Sequence, residues 1–357
     1  MRNHEVTDRQ RLLDEKGNIR EPGWARSQVW TYSRADIKAP DFRIKEWDYY
    51  IVINDGRLNG TESFAAAFTI SDNGYVGLQS VSLLRLDEGA EWEHTETVLN
   101  SFPMGKMNLP SSSREGDVIY RDNRLKMRFH KESGKRRIQC RFEQFCDKKP
   151  LAADITLMEP EMDTMVIATP WDKNGAFYYN QKINCMRASG KIRFDGKDYV
   201  FDPENDYGTL DWGRGVWTYD NTWYWGNGNA TVEGHTFGFN IGYGFGNTKK
   251  ATENILFVDG AGHKLDDVDF GIPEDYDRMK MDGPDYMAPW RMASSDGRFE
   301  MTFMPVLDRC AKLDFLVIVS DQHQVFGRLS GKAVLDDGQV IELKDVLCFA
   351  EKVHNRY

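Results

Sequence analysis

Asp211-Trp212-Gly213-Arg214-Gly215-Val216-Trp217 sets a carboxylate and a guanidinium three residues apart among tryptophans. A carboxyl group in such surroundings can be desolvated and its pKa tuned. It can then give or take a proton while Arg214 holds an anionic group or steadies developing charge. The same residues also read as a buried ion pair that fixes a strand end, and the sequence leaves both readings open. Trp212, Trp217 and Tyr219 supply aromatic walls beside them.

The next run, Thr222 to Asn229, reads as a strand. Trp223, Trp225, Asn227 and Asn229 then share one face. In the run that follows, Phe237, Phe239, Ile241 and Tyr243 share a face opposite Gly238, Asn240, Gly242 and Gly244. A glycine face around one Asn leaves room either for another backbone or for a ligand. Tryptophans with a few placed amides are the usual build of a small-molecule pocket. Glu253, Asn254 and His263 follow closely, and His263 is a candidate second acid/base group. The candidate catalytic set is therefore Asp211, Arg214, Glu253 and His263. The candidate ligand-binding set is Trp212, Trp217, Tyr219, Trp223, Trp225, Asn227, Asn229, Asn240 and Asn254.

These residues need strands to position them, and the chain reads as strands throughout. Lys126 to His130 and Ile138 to Phe142 alternate apolar and polar residues, as half-buried strands do. Asp72-Asn73-Gly74 and Asp195-Gly196 mark hairpin turns. No helical stripe of three turns and no alternation of strand and helix is visible, which argues against a Rossmann or TIM fold. The reading is all-β: two antiparallel barrels packed together with few helices, divided near residue 170 into units 1–170 and 171–357. Residues 1–40 form a polar arm, with Leu12 and Leu13 on a short helix and Trp24, Trp30 and Tyr32 anchoring it across a barrel mouth or edge.

Composition narrows the partners. The 357 residues carry a formal charge of −10, with a pI near 5.3, 40% hydrophobic and 13% aromatic residues. That supports large cores and argues against a nucleic-acid partner, which needs clustered Lys and Arg. The five cysteines are scattered and read as buried thiols in a reducing compartment. The charged N-terminus lacks a secretory h-region and no apolar run is long enough to span a membrane, so the expected location is the cytoplasm. The seven His lack ligand spacing, so no metal is expected, and no cofactor-binding loop is present.

The run Tyr178-Tyr179, Gly190 to Lys197, Leu210-Asp211-Trp212-Gly213-Arg214 and Trp223-Tyr224-Trp225 resembles the AttH and hydroxyneurosporene synthase (carotenoid 1,2-hydratase) superfamily. Gly23-Trp24-Ala25-Arg26, Lys45 to Tyr50 and Glu253 to Leu265 further resemble the family DUF2804. The resemblance covers almost the whole chain. It implies paired lipocalin-like barrels with a pocket in or between them, and apolar, often polyene, ligands whose double bonds are hydrated or whose chains are cyclised; the polar Asn227, Asn229, Asn240, Asn254 and Arg214 point instead to a smaller amphipathic ligand. The match departs at one position: the superfamily's His after the Asp is absent, and Trp212 follows Asp211 directly. The expected function is a cofactor-independent lyase or isomerase, hydratase- or cyclase-like, acting on an apolar or amphipathic small molecule, with Asp211 as acid/base and Arg214 as anchor. A non-catalytic small-ligand carrier and a carbohydrate-active protein using Asp211 with Glu253 are the alternatives.

Overall fold

The computed structural model describes residues 3–87, 92–273, 284–315 and 318–356. Among them regular structure is almost entirely antiparallel strand, with three short 3-10 turns at Arg34–Asp36, Asp41–Arg43 and Gly56–Leu58. Two curled sheets form, one of 13 strands and one of nine. Each is a lipocalin-like barrel wall, and the two are packed together as expected.

The first sheet runs from Glu93–Ser101 through Val76–Arg85, Phe64–Asp72, Ile44–Asn54, Tyr207–Val216 and Phe177–Phe194 to Lys149–Met158 and the strands beyond it. The centre of the second sheet is His235–Tyr243, Asp220–Val232, Val340–Arg356, Ile318–Val334 and Phe299–Phe315. The change of sheet falls between Val216 and Asp220, not near residue 170. The expected junction marks only an irregular loop, Trp171 to Gly175, inside the first sheet. The sequence alternates on both sides of that loop, so alternation alone does not say which sheet a strand joins.

Period-two alternation builds three apolar layers from these two sheets. One fills the first barrel and includes Phe68, Phe142, Tyr179, Leu210 and Trp212. One fills the second and includes Phe237, Phe239, Trp290, Phe299 and Phe303. The third lies between the barrels and includes Ile51, Met165, Tyr178, Trp225, Phe257 and Phe349. Strands at the barrel contact are therefore buried on both faces: every residue from Tyr207 to Val216 is buried.

The arm is fixed as its aromatics suggest. Trp24, Trp30 and Tyr32 are buried, and Gly23–Ala25 pairs with Met165–Pro170. Leu12 and Leu13 are not on a helix; Gln10–Arg11 pairs in parallel with Trp30–Thr31, and both leucines pack into the first core. Cys140, Cys185 and Cys348 are buried, but Cys146 is partly exposed and Cys310 exposed. Among the described residues no helix is long and apolar enough to cross a membrane.

Trp212 belongs to the first barrel's interior, fully buried against Tyr32 and Tyr179. Trp212→Ala is expected to destabilise the protein by about 3–5 kcal/mol in urea unfolding, through the cavity left behind. Ligand affinity of the folded fraction is expected to stay unchanged.

Candidate active site

A cleft of about 380 Å³ opens between the two sheets. Its position follows from strand parity. On Tyr207–Val216 the odd positions face the second barrel, so Asp211 reaches the cleft while Leu210, Trp212 and Arg214 point into the first barrel. On Ile44–Asn54 the same parity delivers Lys45, Trp47 and Tyr49. From the second sheet come Trp223, Trp225, Gln324 and Glu351.

One end of the cleft is aromatic. Trp217 meets Trp223 edge-on with centroids 5.0 Å apart and Trp47 at 5.5 Å. Tyr178 stacks on Phe245 at 4.8 Å. Gly213 makes this possible, because a Cβ there would collide with the Trp47 ring.

Two carboxyl groups line the cleft in different environments. Asp211 Oδ1 accepts a 2.6 Å hydrogen bond from Asn180 Nδ2 and pairs with Lys182 Nζ at 2.8 Å. Lys182 is fully buried, and its ammonium sits 4.0 Å from the centre of the Trp225 ring. Among the described residues no cation pairs with Glu351; Trp223 Nε1 donates to Oε1 at 3.1 Å and Gln324 Nε2 to Oε2 at 2.9 Å. Burial pushes the Glu351 carboxyl up to about 7, against the opposing pull of the Trp223 and Gln324 hydrogen bonds and the Lys182 charge, with a smaller rise from Asp211. Lys45 moves the other way: burial lowers it to about 7, with Arg43 contributing. Burial also raises the Tyr178 hydroxyl well above its ordinary range, helped by Glu253 and Asp211.

The sequence candidates divide sharply. Asp211, Trp217, Trp223 and Trp225 line the cleft together. Arg214 does not reach it. Its guanidinium contacts Asp48 at 3.1 Å and the Trp47 carbonyl at 2.7 Å, and lies 4.3 Å from the Trp212 ring. This is the buried ion pair of the structural reading, so an anion-anchoring role for Arg214 is corrected by its parity. Glu253 is buried behind the cleft wall beside Asn240, which donates to its carbonyl at 2.9 Å. His263 lies on the Ala261–Lys264 strand, paired with Asp336 at 3.1 Å, outside the cleft lining. Tyr219 is exposed, at 51%.

Asn184, Asn227 and Asn229 join the two sheets, while Asn240 and Asn254 brace the second. Asn184 and Asn227 exchange reciprocal amide hydrogen bonds of 3.1 Å. Asn229 accepts from Asn184 Nδ2 at 2.9 Å and from the Cys185 backbone at 2.8 Å. Asn240 accepts from Trp225 Nε1 at 2.7 Å. Asn254 accepts from the Gly242 amide at 2.7 Å and donates to the Asp266 carbonyl at 2.8 Å. The glycine face next to Asn240 serves close approach: a Cβ on Gly238 would lie 2.7 Å from Cys185 Sγ. Of the two occupants the sequence allowed, another backbone or a ligand, neither fills the space beside Gly238: the side chains of Cys185, Asn229 and Asn184 do.

Sequence reading missed Lys182 and Glu351. Both carried a signal in strand parity. Glu351 interrupts the apolar series Leu347, Phe349, Val353, and Lys182 continues the inward series Tyr178, Asn180. A charge on a buried stripe needs a partner, and here the partners are the cleft's own groups.

The fold and the site define a two-barrel, lipocalin-like protein with a cleft at the barrel contact. The chain belongs to the family described as a domain of unknown function, DUF2804, whose model matches residues 3–357. No curated protein matches the sequence. Solved structures of similar fold include an AttH protein from Nitrosomonas europaea, at 14% identity and TM-score 0.50, over 88% of this chain and 93% of that one. Kievitone hydratase from Nectria haematococca gives 13% identity and TM-score 0.52 over 92% and 93%. CghA, also solved with Sch210972, gives 12% and 0.52, over 98% of this chain and 96% of CghA.

Lys182→Met strips the ion pair from a nearly buried Asp211. It is expected to destabilise the fold by about 3 kcal/mol, as removing one member of a buried pair does. The double variant Lys182→Met/Asp211→Asn is expected to recover part of that loss, and a double-mutant cycle in urea measures the coupling.

Proposed function

We propose that this protein is a lyase or isomerase that works by proton transfer on an amphipathic small molecule held in the cleft between its barrels. The observation that carries this reading is the pairing of Asp211 and Glu351 across one aromatic-lined space in opposed environments. Environments that separate two carboxyl groups in this way assign one as base and the other as acid. Asp211, beside the Lys182 ammonium, is the base that draws a proton from substrate or water. Glu351, hydrogen-bonded by neutral donors and raised to about 7, is the acid. Of the two roles the sequence left to Asp211, acid or base, this reading takes the base.

The step balances without a further reactant beyond water. In hydration, the Glu351 proton adds to one alkene carbon while Asp211 takes a proton from water and the new C–O bond forms at the other carbon. In isomerisation, Asp211 removes a proton from one carbon and Glu351 returns one at another. Positive charge that develops at carbon meets the faces of Trp223 and Trp225, which stabilise cations through their quadrupoles. The likeness in fold to a protein named kievitone hydratase supports the hydration variant.

The test is incubation with a mixed metabolite extract, followed by mass spectrometry of bound and altered compounds. Wild type is expected to yield a product shifted by one water or isomerised. Asp211→Asn and Glu351→Gln are each expected to keep the ligand bound and to lower turnover at least about 100-fold, the usual weight of an acid/base group. A ligand retained unchanged by wild type makes the protein a carrier.

Glu351 also sets a pH dependence. The acid form is lost as pH rises through about 7, so turnover is expected to fall on that alkaline limb. The sign for stability agrees. Because the folded pKa lies above the ordinary 4.5, the protonated group's contribution is full below that value and is lost as pH rises through about 7. Glu351→Gln is therefore expected to gain stability relative to wild type between about pH 5 and about pH 8, read as a Tm difference that grows with pH.

A further inference from the structure

Strand register aligns the two walls of the cleft. On the first sheet Thr97 stands opposite Ser80, Ser80 opposite Thr69, Thr69 opposite Tyr49, and Tyr49 opposite Asp211. On the second, Trp225 stands opposite Glu351, Glu351 opposite Gln324, and Gln324 opposite Arg309. The rows meet where the Tyr49 hydroxyl and Gln324 Nε2 lie 3.4 Å apart. Four strand spacings of ~4.8 Å make the floor roughly 19 Å long along its curve. The cleft is therefore an elongated track with two unlike halves.

The inner half holds the tryptophans and both carboxyl groups. The outer half is lined by hydroxyls and planar polar groups: Thr69, Ser80 and Thr97 on the floor, Gln324 and Arg309 on the roof, Glu93 at the side. Several are already organised, with Thr97 Oγ1 donating to Ser80 Oγ at 3.2 Å and Arg309 Nη1 to Gln324 Oε1 at 2.9 Å. Hydroxyls keep spare donor and acceptor capacity in such arrangements. Charge in this half is balanced, since Arg309 Nε lies 3.8 Å from Glu93 Oε1. An anion would meet Glu93 and a cation would meet Arg309. A neutral group bearing adjacent hydroxyls can donate to Glu93 and to the Thr97 oxygen and accept from Arg309 and the Thr69 and Ser80 hydroxyls.

We propose that the outer half of the cleft is a subsite for an uncharged, vicinally hydroxylated group, a sugar or polyol, carried by a ligand whose flat apolar part lies among the tryptophans. This rests on the cleft being the ligand site, but not on turnover there. The sugar is a handle for recognition, and the chemistry takes place at the apolar end.

The test is calorimetric titration of the full-length protein with three probes that share one ring system: naphthyl glucoside, naphthol and naphthyl phosphate. The glucoside is expected to bind at least about tenfold more tightly than the other two, the gain from one or two hydrogen bonds that survive competition with water. Thr69→Val/Ser80→Ala is expected to erase that preference and leave naphthol affinity unchanged. Arg309→Gln, on the opposite wall and partly exposed, is expected to reduce the preference by itself, which guards against a misfolded floor variant. Equal affinity for glucoside and naphthol, tightest binding of the phosphate, no binding of any probe, or a preference untouched by these variants would each overturn the proposal. Normal turnover by Asp211→Asn and Glu351→Gln, with the glucoside preference intact, would instead sink the acid–base reading alone.

Discussion

The reciprocal amide pair between Asn184 and Asn227 is the contact on which the rest of the arrangement depends. It joins the first sheet to the second by two hydrogen bonds of 3.1 Å, deep in the barrel contact. Such a pair is strong only when every polar atom near it is satisfied, because an orphaned amide in a dry interface costs about 1–3 kcal/mol. Thr209, Asn229 and Asn240 complete the set. A register shift between Ile183 and Met186, with Cys185 at φ 57°, re-aims the strand so that Asn184 reaches across. Apolar packing alone would let the two curled surfaces slide. The amides accept one registration, and so fix which residues of one sheet stand over which residues of the other.

From this lock a continuous chain of contacts leads into the cleft. Asn227 meets Asn240, Asn240 holds Trp225 through its indole N–H, the Trp225 ring lies against the Lys182 ammonium, and Lys182 pairs with Asp211. Asp211 comes from the first sheet and Glu351 from the second. Neither barrel alone contains the pair. The distance between the two carboxyl groups is thus set by docking, and the residues that set it are ones a pocket-centred reading takes for ligand contacts.

That explains what the sequence revealed and what it hid. Alternation and turn residues expose the strands, because they are local properties of a pleated chain. The all-β, two-barrel architecture follows, and so does the Trp-rich stretch as the place to look. Sheet membership does not follow: Tyr207–Val216 and Asp220–Val232 are adjacent in sequence and look alike, yet lie in different sheets. Asp211 and Arg214 become separable only once both are placed on one strand. An odd offset within a strand puts two side chains on opposite faces, one in the cleft and one in a barrel core. Glu351 was hidden because its partners, Trp223 and Gln324, come from other strands.

The location between barrels also suits the chemistry better than a barrel interior would. Each interior is a closed apolar core, where an unpaired carboxyl would stay neutral and a paired one would be locked, as Asp48 is with Arg214. The contact zone supplies both conditions side by side. A fully buried lysine on one wall gives Asp211 a cation, while the other wall offers Glu351 only neutral donors. Tryptophans from both sheets exclude water around them without filling the space. Two carboxyl groups with unlike hydrogen-bond partners therefore meet by docking two ordinary barrels. Altering the amide lock is a route by which changes far from the cleft would retune the pair.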